Sequence, residues 1–134
     1  MKIPGWAKRK RNERGASTVE LVLYMPILML AIFLTIQFSL IYLGNQAASA
    51  AARETARVAR TTLDSGAAQM AGIDYANKIG NGTLEDVQVI VTPVGADEVR
   101  VEVTGHAQKL TPFIDPPTVR QVVQGPLEEF RADN

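Results

Sequence analysis

The fold is decided by KRKRNERGASTVELVLYMPILML, residues 8–30, which changes from strongly basic to apolar within a few residues. Six basic residues and one acidic residue give residues 1–15 a net charge of +5, while eight basic and thirteen acidic residues leave the remainder at −5. Residues 21–43 are 23 residues without a charged side chain. As a helix they span about 34 Å, enough to cross a hydrocarbon core of about 30 Å. The pattern predicts a membrane helix behind a basic head.

The basic head also predicts the orientation of this helix. Positive charge next to an apolar helix favours the cytoplasmic side, so the N-terminus is expected inside and the C-terminal part outside the cytoplasmic membrane. Glu20 is a lone carboxylate at the start of the apolar run. It suits the headgroup level and the N-terminal end of a helix dipole. Pro26 lacks a backbone donor, which predicts a kink or a local loosening.

Residues 44–63, GNQAASAAARETARVARTTL, continue the helix because alanine and arginine are strong helix formers. The helix is therefore expected over residues 16–63, roughly 70 Å in length, with a transmembrane half at about 21–43 and a projecting half, and with Gly66 as its stop. Small residues recur every four positions on one side of the projecting half: Gly44, Ala48, Ala52 and Ala56. This side fits either close packing of another helix or coverage by the chain's own domain.

Residues 64–134 predict a small α+β domain. The segment AAQMAGIDYANKIG, residues 67–80, has helical spacing and ends at a glycine. Two valine-rich strands follow around a turn of hairpin length, with an edge or bulge position at Pro93. After a proline-rich loop, TVRQVVQGPLEEF, residues 118–130, can return as a last strand. The fold class is α+β, with a short helix beside an antiparallel hairpin or three-stranded sheet.

The residue types argue against catalysis. There is no cysteine, and His106 has no second imidazole with which to bind zinc. The acidic residues occur as adjacent pairs in strands or turns, and no phosphate-binding glycine loop is present. The basic head has no folded module that would aim it at nucleic acid. The sequence predicts no enzyme, catalytic residue, metal or cofactor.

The segment RGASTVELVLYMPILMLAIFLTIQF, residues 14–38, resembles the signal of the Flp branch of type IV pilins, the tight adherence or Tad system. It combines a basic leader, a glycine, small residues, a glutamate and an apolar helix. NQAASAAARETARVAR, residues 45–60, resembles the juxtamembrane part of TadE-like pseudopilins. Because a sizeable domain follows and Glu20 precedes leucine, the resemblance is to a minor, TadE-like subunit rather than to the short major pilin.

This resemblance implies roles for three residues. Gly15 would be the last residue of a leader, residues 1–15, that a prepilin peptidase removes, and Ala16 would be the mature N-terminus. Glu20 would contact the N-terminal amine of a neighbouring subunit and set the register between helices. The expected partners are the peptidase, other pilins or pseudopilins, the assembly platform and the membrane, with the pilus or cell surface as a further location.

Two alternatives to a pseudopilin remain open from the sequence. ASA, residues 48–50, imitates a signal-peptidase site, so the chain could be a small secreted protein exported by the Sec pathway and cleaved near Ala50. Its apolar region of 23 residues is longer than the apolar region of a signal peptide, which usually has about 7–15 residues. The other alternative is a single-pass protein whose outer domain binds a ligand.

Overall fold

The computed structural model describes Lys2 and residues 13–127 of the chain. Most of the predicted basic head, and the last residues of the segment 118–130, lie outside the described residues. The chain divides into two compact units, Met1–Leu34 and Thr35–Asn134. This division falls inside a helix, so the second half of that helix belongs to the unit that contains the sheet.

Helix α1, Glu13–Thr62, is the first element. It continues without interruption through Pro26, since a proline in a helix removes one backbone hydrogen-bond donor but leaves the hydrogen bonds of the other turns in place. In the first unit, α1 exposes its apolar side chains all round. In the second unit, α1 buries one side of small residues.

A tight connection joins α1 to helix α2, Ser65–Ile79. Leu63 has a left-handed conformation with φ 55°, which ends α1, and the Asp64 side chain caps α2 by accepting from the N–H groups of Gly66 and Ala67. Gly66 therefore lies in the first turn of α2, and its prediction as the stop of the long helix was wrong. The cap chemistry of aspartate decided the boundary instead.

Three strands form one antiparallel sheet in the order β1-β2-β3: β1 Leu84–Val94, β2 Glu98–Ala107 and β3 Thr118–Pro126. Val101 of β2 pairs with Val91 of β1 and with Val123 of β3. The predicted α+β class is confirmed, with the three-stranded form of the sheet. Pro93 lies on the edge strand β1, but the bulge falls between Glu85 and Gln88, where Asp86 has φ 52°.

The core lies between one face of the sheet and the two helices. Alternate residues of β2 point into it, with Val101 and Val103 fully buried. The helices contribute mainly alanines to it: Ala47, Ala48, Ala51, Ala52, Ala56 and Ala59 from α1, and Ala68 and Ala76 from α2. Because these side chains are small, the helices approach the sheet and each other closely. A β-carbon added at Gly72 of α2 would lie 1.9 Å from the Thr55 hydroxyl of α1.

Candidate membrane and assembly site

The first unit presents an apolar helix surface. Every large apolar side chain from Val19 to Phe33 is at least 41% exposed. Water-soluble monomers rarely expose a continuous apolar surface of this size. Among the described residues, α1 is the one helix long and apolar enough to cross a membrane. This surface therefore suits contact with lipid or with other apolar helices.

The predicted processing and register residues lie near the start of α1. The Gly15–Ala16 peptide bond falls within the helical segment. Glu20 lies four residues after Ala16, so the two positions share one side of the helix. The Glu20 side chain is exposed. Pro26 follows six residues later, among exposed apolar side chains.

The second unit covers the small side of α1. Ala48, Ala52 and Ala56 are at most 1% exposed, and Gly44 is buried. A β-carbon at Gly44 would lie 3.0 Å from the Thr83 carbonyl oxygen, so the backbone of the domain approaches the helix there. Of the two alternatives left open by the sequence, the structure shows coverage by the chain's own domain.

The arginines of α1 lie beside this covered side. Arg57 donates two hydrogen bonds to the Glu54 carboxylate, at 2.6 and 3.0 Å, and these bonds lower the pKa of Glu54. Arg60 is half-buried and donates from Nε to the Ala56 carbonyl at 3.1 Å. Arg53 is exposed. The arginines therefore make local contacts within α1 and keep the surface beside the covered side polar.

Gln37 is a polar residue within the apolar run and is only 4% exposed. Its Nε2 donates to the Gln108 carbonyl at 3.2 Å, and its Oε1 accepts from the Leu110 N–H at 3.2 Å. Both ends of the amide thus bind the backbone that follows β2. This role of Gln37 was not predicted from the sequence, although a lone amide in an apolar helix needs a hydrogen-bond partner.

The segment bound by Gln37 is the loop 108–117, which joins β2 to β3. The Lys109 ammonium and the Asp115 carboxylate pair at 2.5 Å across it, and this ion pair lowers the pKa of Asp115. Phe113 at its tip is 93% exposed. Prolines at 112, 116 and 117 fix their own backbone φ and restrict the loop. The loop presents an apolar tip on a constrained backbone.

The residues considered for chemistry do not come together. His106 lies 3.4 Å from the Thr118 hydroxyl on the neighbouring strand. Within residues 13–127 no group of three histidine or acidic side chains could hold a metal ion. The site is thus composed of helix surface, loop and small-residue packing.

The family described as TadE-like protein matches residues 15–57, which begin at Gly15 and include Glu20, Pro26 and the small residues of α1. The match covers about a third of the chain and confirms the predicted resemblance to TadE-like proteins over these residues. No curated protein and no solved structure gives a significant match.

Proposed function

Taking the TadE-like character of residues 15–57 as the premise, we propose that this chain is a minor pseudopilin of a Tad pilus. In this proposal a prepilin peptidase cleaves it after Gly15, and α1 keeps the product in the cytoplasmic membrane. The sheet unit acts outside the membrane, next to other pilins and the assembly platform. Its role is structural, in building or priming the filament.

One observation carries this proposal: the family match coincides with a helix whose large apolar side chains are exposed from Val19 to Phe33. Such a surface is stable when lipid tails or other apolar helices cover it. A pilin helix contacts lipid tails while it is held in the membrane and contacts other apolar helices during assembly. The opposite charges of residues 1–15 and of the remainder support a cytoplasmic N-terminus.

Glu20 is proposed to set register rather than to supply large stability. After cleavage, Ala16 would carry a free amine, and the Glu20 carboxylate of a neighbouring helix could pair with it. Pairing two charges in a medium of low dielectric strengthens their attraction but also costs desolvation. The net gain is therefore small, while a misplaced helix would leave both charges without a partner. This difference favours one axial alignment.

The core argues against cleavage near Ala50 for secretion. Ala47 and Ala48 are buried in the domain core, yet both would be removed with the leader. Gly44 and its contact with the Thr83 carbonyl would also be lost. The secreted product would lack two of the six core alanines of α1, which is a cost that a retained helix avoids.

N-terminal sequencing of the mature protein tests the processing step. The pseudopilin proposal expects Ala16 as the first residue, whereas secretion expects Ala51 and an uncleaved anchor expects Met1 or Lys2. Gly15→Leu should accumulate as full-length precursor in the membrane. The same change in the leader, Gly5→Leu, is the matched control and should be processed normally. Normal processing of Gly15→Leu would refute the proposed site.

Glu20→Ala tests the register step separately. The variant should be cleaved after Gly15 but should enter pili or pilin complexes poorly, as measured by the amount recovered with the other pilins. Glu13→Ala is the control, because Glu13 would be removed with the leader. Wild-type assembly of Glu20→Ala would show that this carboxylate is incidental.

A further inference from the structure

We propose that the loop 108–117 lies in the outer headgroup region of the membrane and that Phe113 at its tip inserts into the acyl boundary. This inference rests on the proposed anchoring of α1. It assigns a second membrane contact to the chain, made by the sheet unit. The ligand is the lipid surface itself.

The first step is the position of the loop along α1 within the second unit. A β-carbon at Gly44 would lie 3.8 Å from the Ala107 side chain, at the end of β2. The next residues, Gln108 and Leu110, bond to Gln37. Seven residues of helix separate Gly44 from Gln37, so the loop extends about 10 Å past the end of β2 toward the start of α1. It thus lies beside residues 35–43, the last part of the apolar run.

The far end of the sheet confirms this direction. Gln121 of β3 donates to the Asn45 side chain at 3.2 Å, near the start of that strand. A β-carbon at Gly125, near the end of β3, would lie 3.8 Å from the Arg60 guanidinium. The strand therefore runs along α1 away from the apolar run. The loop that precedes β3 is at the apolar end of the unit, and the turn between β1 and β2 is at the arginine end.

The second step is the chemistry of the loop surface. Phe113 is 93% exposed, and Leu110 and Ile114 are also exposed. On the neighbouring turns of α1 the exposed side chains include Phe38, Tyr42 and Leu43. Aromatic and aliphatic side chains of this kind are typical of the membrane interface.

The third step is the depth at which polar backbone can lie. Gln37 and the two backbone groups that it binds cannot lie deep in hydrocarbon, because the rest of the loop backbone needs water or headgroups. This places the outer boundary of the hydrocarbon near Gln37 rather than at residue 43, about 9 Å further along α1. Counting back about 17 residues, the short end of the range that a bilayer core requires, reaches Glu20 at the headgroup level expected for it.

The fourth step is the cost of the loop's conformation. Three prolines and the Lys109–Asp115 pair restrict it before any contact is made. A restricted loop loses little entropy on insertion, so the burial of Phe113 is not offset by ordering of the backbone. In water alone, the exposed Phe113 side chain contributes no stabilisation to the restricted loop. Lipid at the tip supplies the missing apolar surroundings.

Tryptophan quenching in the full-length chain tests the inference. Trp6→Phe removes the native tryptophan, and single tryptophans then replace Phe113, Leu28 or Val122. Each variant is reconstituted into phosphatidylcholine and phosphatidylglycerol vesicles with bromine on the acyl chains, either near the headgroup or near the bilayer centre. Leu28 lies in the apolar helix, and Val122 is an exposed residue of β3 that pairs with Glu102, so it serves as the matched sheet control.

The Phe113→Trp variant is expected to lose most of its emission to bromine near the headgroup and less to bromine at the centre. Leu28→Trp should be quenched most strongly near the centre, and Val122→Trp should keep its emission. Quenching of Leu28→Trp without quenching of Phe113→Trp would overturn the loop inference and leave the anchor intact. Loss of quenching at both would overturn the anchor as well. If Phe113→Trp is shielded from aqueous iodide only by added pilin subunits, the occupant is protein and the lipid inference is wrong.

Discussion

Replacement of Gly72 by alanine should distinguish two contributions to stability: the packing of α1 against α2 and the intrinsic helix propensity of α2. The added β-carbon would lie 1.9 Å from Thr55 Oγ1 and 3.3 Å from Val89 Cγ1. Thr55 is fully buried, and its hydroxyl donates to the Ala51 carbonyl at 2.8 Å. The hydroxyl cannot turn aside without breaking this bond, so either the bond is lost or the two helices move apart.

The magnitude follows from two opposed contributions. Overpacking of a filled core costs about 1–3 kcal/mol. Alanine in place of glycine within a helix returns about 1 kcal/mol. Because the contact at Thr55 is very short, we take the upper part of the first range and expect a net loss of about 1–2 kcal/mol. Amide exchange in the core strands should then accelerate by roughly 5–30-fold.

Hydrogen exchange of the full-length protein in lipid nanodiscs, read on peptides of β1 and β2, measures this change. Thr55→Ala removes the atom that the new methyl group meets, so the double variant Thr55→Ala with Gly72→Ala should be more stable than the sum of the single changes predicts. Asn77→Ala, exposed in the same helix, is the propensity control and should not destabilise the sheet. Equal exchange rates for Gly72→Ala and wild type, or no rescue in the double variant, would refute the close contact.

Two further predictions concern the start of α2 and the surface of α1. Asp64→Ala removes an acceptor that lies 2.8 and 3.1 Å from two amide N–H groups of α2, and it should cost about 1 kcal/mol in exchange of α2 peptides. Asp74→Ala, on the exposed side of α2, should cost less, and equal losses would contradict the capping role. Because Arg57 lowers the pKa of Glu54 in the folded chain, their pairing stabilises the fold above the ordinary glutamate pKa, and this contribution is lost as the pH falls through the lowered value. Arg57→Gln should flatten this part of the acid dependence of thermal unfolding, and an unchanged pH profile would contradict the pairing.

The elements themselves were largely predictable because their signals are local. Alternating valines predicted β2, and the alanine and arginine composition of residues 44–63 predicted that α1 continues beyond its apolar run. A last strand was also expected within residues 118–130, and β3 occupies residues 118–126. In each case a short stretch holds enough information, since periodicity and propensity act over a few residues.

The partners of these elements were not predictable in the same way. Whether Gly44 and the alanines face a foreign helix or the chain's own sheet depends on residues far along the sequence, including Gly72 and Thr83. Gln37 binds backbone groups 71 and 73 residues away, which no local pattern marks. The end of α1 was predicted to within one residue, but the residue that stops it was not, because the left-handed φ that favours glycine occurs here in Leu63 rather than at Gly66.

The large sequence separation between α1 and its covering strands has a consequence for biosynthesis. Asn45 meets Gln121, 76 residues later, so the helix made early by the ribosome waits for the last strand before its contacts are complete. A chain that stops before residue 118 lacks β3, and β2 then becomes an open edge available to other polypeptides. Such an unfinished chain would thus be an aggregation-prone intermediate.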